Sequence, residues 1–253
     1  MKIDWIFLPK IFYSSKQKAI ISKPNLKLMP FLISFSGLDG SGKTQLIVLM
    51  RRFFKRQGIS YTQIHFVNDS LENRIAKKLL GDKKVADLSE KRNRRAEEKK
   101  ISFLAYWVRL FFLCLYACNL KIRLFKLRKR YGVVIFDRYI YDRIAQLAYL
   151  RRKRDLKFEK RLVRFFPRPN LPFFLHVLPE QSLERKKELR EEAQGIEYLK
   201  MKYEIFDQER DSWGLLVIDN SVLTVSEAKK KIIALFKKKY LRFKKQEKKK
   251  SVR

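Results

Sequence analysis

A chain of 253 residues is long enough for one sizeable core and demands no second domain. With 46% apolar residues it has the composition of a globular protein, which excludes an intrinsically disordered one. Sixty Lys and Arg against 26 Asp and Glu give a formal charge of +34, a field that attracts phosphates, nucleic acid and anionic membrane. The basic residues are scattered along the whole chain, which fits general anion attraction better than one dedicated groove. The two cysteines, Cys114 and Cys118, lie one helical turn apart in an apolar stretch. They offer no disulfide framework or zinc spacing, and they predict small core residues of a reduced, cytoplasmic protein.

Residues 1–29 form a basic N-terminal extension whose apolar run, broken by Pro9, is too short for a secretory signal, although an organelle presequence shares its composition. The organised part is expected over 30–240, followed by a basic tail over 241–253. Pro30 to Ser36 is a short apolar strand that stops at a glycine loop, and Thr44 to Gln57 a helix ended by Gly58. Tyr61 to Val67 predicts a second strand, Leu71 to Leu80 a helix, and Leu88 to Arg130 a longer one. Within that longer helix, Ile101 to Ile122 approaches the length of a membrane span, but Arg109 near its middle would be costly in lipid. A packed helix with one inward functional arginine explains both features; a membrane-associated helix is the alternative. Val133 to Phe136 is a buried strand, Tyr141 to Arg164 a helix, and Phe173 to Val177 the fourth strand. A charged helix from Pro179 to Arg190, a fifth strand at Leu215 to Ile218 and a last helix over Val225 to Tyr240 complete the order. Strands alternating with helices predict an α/β protein: a three-layer fold with a five-stranded parallel sheet flanked by helices.

The chemistry is concentrated in two places. Gly37 to Thr44 reads GLDGSGKT, a P-loop pattern set between a strand and a helix. Gly37, Gly40 and Gly42 let backbone N–H groups turn inward around phosphates, with Asp39 and Ser41 carried on the same ATP-binding loop. The helix start adds the positive end of its dipole, Lys43 reaches the β- and γ-phosphates, and the Thr44 hydroxyl is placed for Mg²⁺. The second place is Val133 to Tyr139, VVIFDRY. A carboxylate ending a buried strand next to the P-loop strand lies at the ligand-binding edge of the sheet. Asp137 can organise Mg²⁺ and its waters there, and Arg138 is directed to an acceptor phosphate.

FSGLDGSGKTQ, the DRY triplet at Asp137 to Tyr139, Pro169 to Lys186 (PNLPFFLHVLPEQSLERK) and Val217 to Ile232 (VIDNSVLTVSEAKKKI) together resemble the thymidylate kinases and their relatives. The resemblance covers about 30–240 and implies a P-loop NTPase fold, with transfer of a phosphoryl group from ATP to a nucleoside monophosphate, dTMP, in the presence of Mg²⁺. It further implies that Asp39 lies near the acceptor sugar, that Arg109, Arg138 and Tyr139 serve the acceptor monophosphate, and that Arg185 begins a lid over about 185–198. Arg190 is a second lid arginine on this reading, the loop after the fifth strand packs near adenine, and homodimers form through the long central helix. Two departures bear on the acceptor. His65 to Ser70 reads HFVNDS where the family carries an arginine and proline run, and Val108 precedes Arg109 where an acid or amide is usual. Another small acceptor on the same fold therefore stays open, as does a non-catalytic protein binding ATP or nucleic acid.

Overall fold

The structure is a computed structural model that describes residues 29–66, 102–152, 156–188 and 195–251, the side chains of 247–251 excepted. Most of the N-terminal extension, the expected helix at 71–80, Arg190 and the last two residues lie outside the described residues. Strand β1 (Phe31–Gly37) leads into α1 (Lys43–Arg56), followed by β2 (Tyr61–His65), α2 (Phe103–Leu127) and β3 (Val133–Asp137). Then come α3 (Ile140–Arg151), α4 (Lys157–Val163), β4 (Leu171–His176), α5 (Pro179–Glu188), α6 (Ile196–Glu209), β5 (Leu216–Asp219) and α7 (Val225–Ser251).

All strand pairs are parallel, in the order β2-β3-β1-β4-β5. The strand that ends in the glycine loop is thus central, and β3 lies beside it with Phe35 opposite Asp137. Side chains alternate across β1 as a pleated strand requires. Phe31, Ile33 and Phe35 pack against Leu46, Met50 and Phe54 of α1 and Ile232 and Phe236 of α7. Leu32 joins the opposite layer, built from α2, α3 and α6. This is the three-layer α/β architecture expected. At the far end of β1, Phe31 meets Phe236, Tyr240 and Phe243 edge-on with centroids 5.3–5.6 Å apart. Such pairs contribute about 0.5–1.5 kcal/mol each beyond burial. The start of α7 is set by a capping box: Thr224 N–H donates to Glu227 Oε2 at 2.9 Å, and Glu227 N–H to Thr224 Oγ1 at 3.3 Å.

Four departures from the sequence reading have local causes. The helix expected over Tyr141 to Arg164 is divided, because Arg152 closes α3 in the left-handed conformation at φ 53°. Helix α6, which the sequence reading omits, follows Gly195. Helix α7 continues past Tyr240 to Ser251. Cys114 and Cys118, expected in the core, are exposed. The reason is the width of the apolar surface of α2: Tyr106, Leu110, Leu113, Tyr116, Ala117, Leu120 and Leu124 suffice to cover the sheet, so its other apolar residues face outward.

Candidate active site

Three glycines shape the loop. Gly37, Gly40 and Gly42 have φ of 141°, 91° and 84°, a region side chains rarely adopt. A Cβ at Gly37 would lie 2.6 Å from Leu175 O, and one at Gly40 2.7 Å from Ser182 O. The loop is therefore bounded on one side by β4 and on the other by α5, whose Ser182 hydroxyl donates to Asp39 O. Directly after β5, Asn220 Nδ2 donates to Ser41 O at 2.8 Å. Arg185 Nη2 in turn donates to Asn220 O at 2.9 Å, which brings the expected lid arginine to the rim of the loop.

Lys43 folds back over this loop. Its ammonium donates to Gly37 O at 3.1 Å, to Leu38 O and to Ser41 Oγ at 3.3 Å, and it lies 3.8 Å from Asp39 Oδ1. Arg138 also pairs with Asp39, through Nη2 and Oδ1. One carboxylate therefore gathers the loop lysine and the arginine of the DRY turn. Arg138 reaches it because its backbone is left-handed at φ 64°, held by its N–H donating to Phe35 O at 2.9 Å. Burial works against every charge here, and the neighbours decide the outcome. Burial would raise the Asp39 pKa, but Arg138, Lys43 and Lys202 outweigh it and hold the carboxyl well below its usual range. Arg138 is lowered by burial yet net raised by Asp39 and Asp142. For Lys43 burial wins: assisted by Arg138 and Lys202 and only partly opposed by Asp39, it brings the pKa down to about 8.

Thr44 is exposed in the first turn of α1. Asp137 is half-buried at the end of β3, with His65 Nε2 of β2 3.8 Å from its Oδ2. Arg109 is half-buried on α2, on the side that carries buried Tyr106 and Leu113. Tyr139 is not brought to the cleft. Its ring is 1% exposed among Phe66, Phe136 and Tyr141, and its hydroxyl donates to Pro167 O, because an aromatic ring after the turn completes the core. Four contributors escaped the sequence reading. Asn220 had a signal, being the polar residue directly after the closing strand at the ligand-binding edge of the sheet. Asp142 had a weaker one, an acid in the first turn of the helix after DRY. Ser182 and Lys202 had none, the latter being one of sixty basic residues.

A phosphate loop on the central strand, an adjacent strand ending in Asp-Arg and a shared carboxylate between them define a P-loop nucleoside monophosphate kinase. The family model described as thymidylate kinase matches residues 35–238. Similar chains are the "Probable thymidylate kinase 2" of Saccharolobus solfataricus, 27% identical over 66% of this chain and 71% of that one, and the "Probable thymidylate kinase" of Pyrococcus abyssi, 27% identical over 82% and 96%. The "Probable thymidylate kinase" of Pyrococcus horikoshii is 30% identical over 62% and 70%. The chain belongs to the thymidylate kinase family.

Proposed function

We propose that the protein transfers the γ-phosphoryl group of ATP to dTMP, giving ADP and dTDP. The observation that carries this reading is the joint hold of Asp39 on Lys43 and Arg138, which makes the donor loop and the acceptor-phosphate arginine immediate neighbours. Phosphates entering the loop draw Lys43 from Gly37 O and Leu38 O onto their own oxygens and take over the charge that Asp39 compensates. Arg138, with Arg109 from α2, binds the acceptor monophosphate and aligns one of its oxygens for in-line attack. A phosphate oxygen is already nucleophilic, so positioning and charge neutralisation supply the catalysis and no strong general base is needed. Arg185, at the start of the lid over about 185–198, neutralises charge on the group in transit.

Thr44, in the first turn of the helix that follows β1, and Asp137, at the end of the adjacent β3, offer two hard oxygen donors, a set that fits Mg²⁺. Among the described residues no group of three or more His, Cys, Asp or Glu could hold a metal, so phosphate oxygens and water would complete the shell. A bound Mg²⁺ would supply positive charge that offsets the charge of the phosphates. The protein acts in the cytoplasm as a homodimer on this reading. Leu104, Val108, Phe111, Leu115, Cys118, Ile122 and Phe125 are exposed at alternating spacings of four and three along α2, the seam by which one helix packs on its copy.

A panel of nucleoside monophosphates with Mg-ATP tests the proposal. Turnover is expected with dTMP foremost and is abolished in Lys43→Ala. Turnover on a different acceptor would move the substrate assignment, and none on any acceptor would overturn the reading.

A further inference from the structure

Lys202 on α6 is 0% exposed, an unusual place for an ammonium. Its Nζ lies 3.1 Å from Oδ1 of Asp142, itself 3% exposed, so the two form a buried ion pair. The rings of Tyr198 and Phe206 flank the ammonium, each centroid 5.9 Å away. Asp142 has a second set of partners. Its Oδ2 accepts the Tyr139 N–H at 3.2 Å and its Oδ1 the Gly37 N–H at 3.5 Å. Gly37 opens the phosphate loop, and Tyr139 directly follows Arg138. One carboxylate therefore joins the two halves of the site from behind, as Asp39 joins them from the front.

Each buried ion costs several kcal/mol, and an apolar pair of similar volume would often be at least as stable. The pair is thus poorly explained by stability alone. Burial raises the Asp142 pKa, but Lys202, Arg138 and Lys43 outweigh it, so the carboxylate stays charged and keeps both amides. We propose that Lys202 and Asp142 form a positioning pair that fixes the Arg138 turn against the mouth of the phosphate loop. Since α3 and α6 pack together, the pair also ties that turn to the helix that follows the lid segment. This rests on the reading of Arg138 as the acceptor-phosphate arginine.

The test compares full-length Lys202→Met, Asp142→Asn and the double variant for thermal midpoint and for kinetics with dTMP and Mg-ATP. Each single variant is expected to lower kcat/KM for dTMP by about tenfold or more while KM for ATP stays within about twofold, the pattern of a misplaced acceptor group. The double variant, relieved of a lone buried charge, should regain the thermal midpoint without regaining kcat/KM. Recovery of both would show that the pair only holds the fold, and single variants within about twofold of the parent would also overturn the proposal. Hydrogen exchange decides independently of activity: the peptides carrying Gly37 and Tyr139 should exchange faster in Lys202→Met, and unchanged exchange refutes the pair's role. An Arg138→Ala variant with unaltered KM for dTMP would instead refute only the assignment of Arg138.

Discussion

The protonation state of Lys43 offers the sharpest test of the site. Folding lowers its pKa from 10.5 to about 8, with burial the largest cause. That difference of about 2.5 units corresponds to about 3 kcal/mol at 1.36 kcal/mol per unit. The sign follows from linkage: below pH 8 both states hold the proton and the folded state carries the full penalty, which is relieved as the pH rises from 8 towards 10.5. Phosphates in the loop reverse the shift, because their negative charge favours the ammonium. Binding of Mg-ATP should therefore take up about half a proton at pH 8 and about a tenth at pH 7. Affinity should fall about tenfold from pH 7 to pH 9, once the free lysine is mostly neutral. Calorimetric titration in two buffers of unlike ionisation enthalpy measures the uptake directly. A Lys43→Arg variant that still binds should show none, since arginine keeps its charge. Equal uptake at pH 7 and pH 8, or an affinity flat to pH 9, would refute the placement of Lys43 as a buried amine beside Arg138.

Two further outcomes are expected. Asn220→Ala removes the donor to Ser41 O and leaves a buried carbonyl unpaired, at a cost of about 1–3 kcal/mol, and it loosens the loop. Thermal denaturation should show the loss, together with a raised KM for ATP; an unchanged KM would separate Asn220 from the site. Leu115→Asp places a charge in the exposed seam of α2, where a charged residue directly opposite its copy destabilises association. Sedimentation of the parent should give a dimer and that of the variant a monomer, whereas a monomeric parent would refute the dimer.

The phosphate loop was legible because its geometry is local. GLDGSGKT needs only a preceding strand and a following helix, and the positive φ of Gly37, Gly40 and Gly42 is a property of the loop itself. The parallel sheet was legible for the same reason, since alternating strands and helices admit few topologies. Helix boundaries were less so: nothing local in YLRRKRDL shows that Arg152 turns left-handed and ends α3. Exposure of Cys114 and Cys118 was invisible as well, because an apolar helix reads alike whether a sheet covers one side or both. Tyr139 belonged to a recognised triplet, yet only packing decided that its ring fills the core.

By itself the sequence determined the fold class, the phosphate loop and the Asp-Arg turn, because each follows from residues contiguous in the chain. Tertiary structure alone decided how they meet. Asp39 pairs with Arg138 across 99 positions, Asn220 reaches Ser41 across 179, and Lys202 arrives at Asp142 from a helix that was not expected at all. The physical reason is that a charge's role is set by its burial and its neighbours, and in a chain with sixty cations composition cannot single out the three that share one buried cluster.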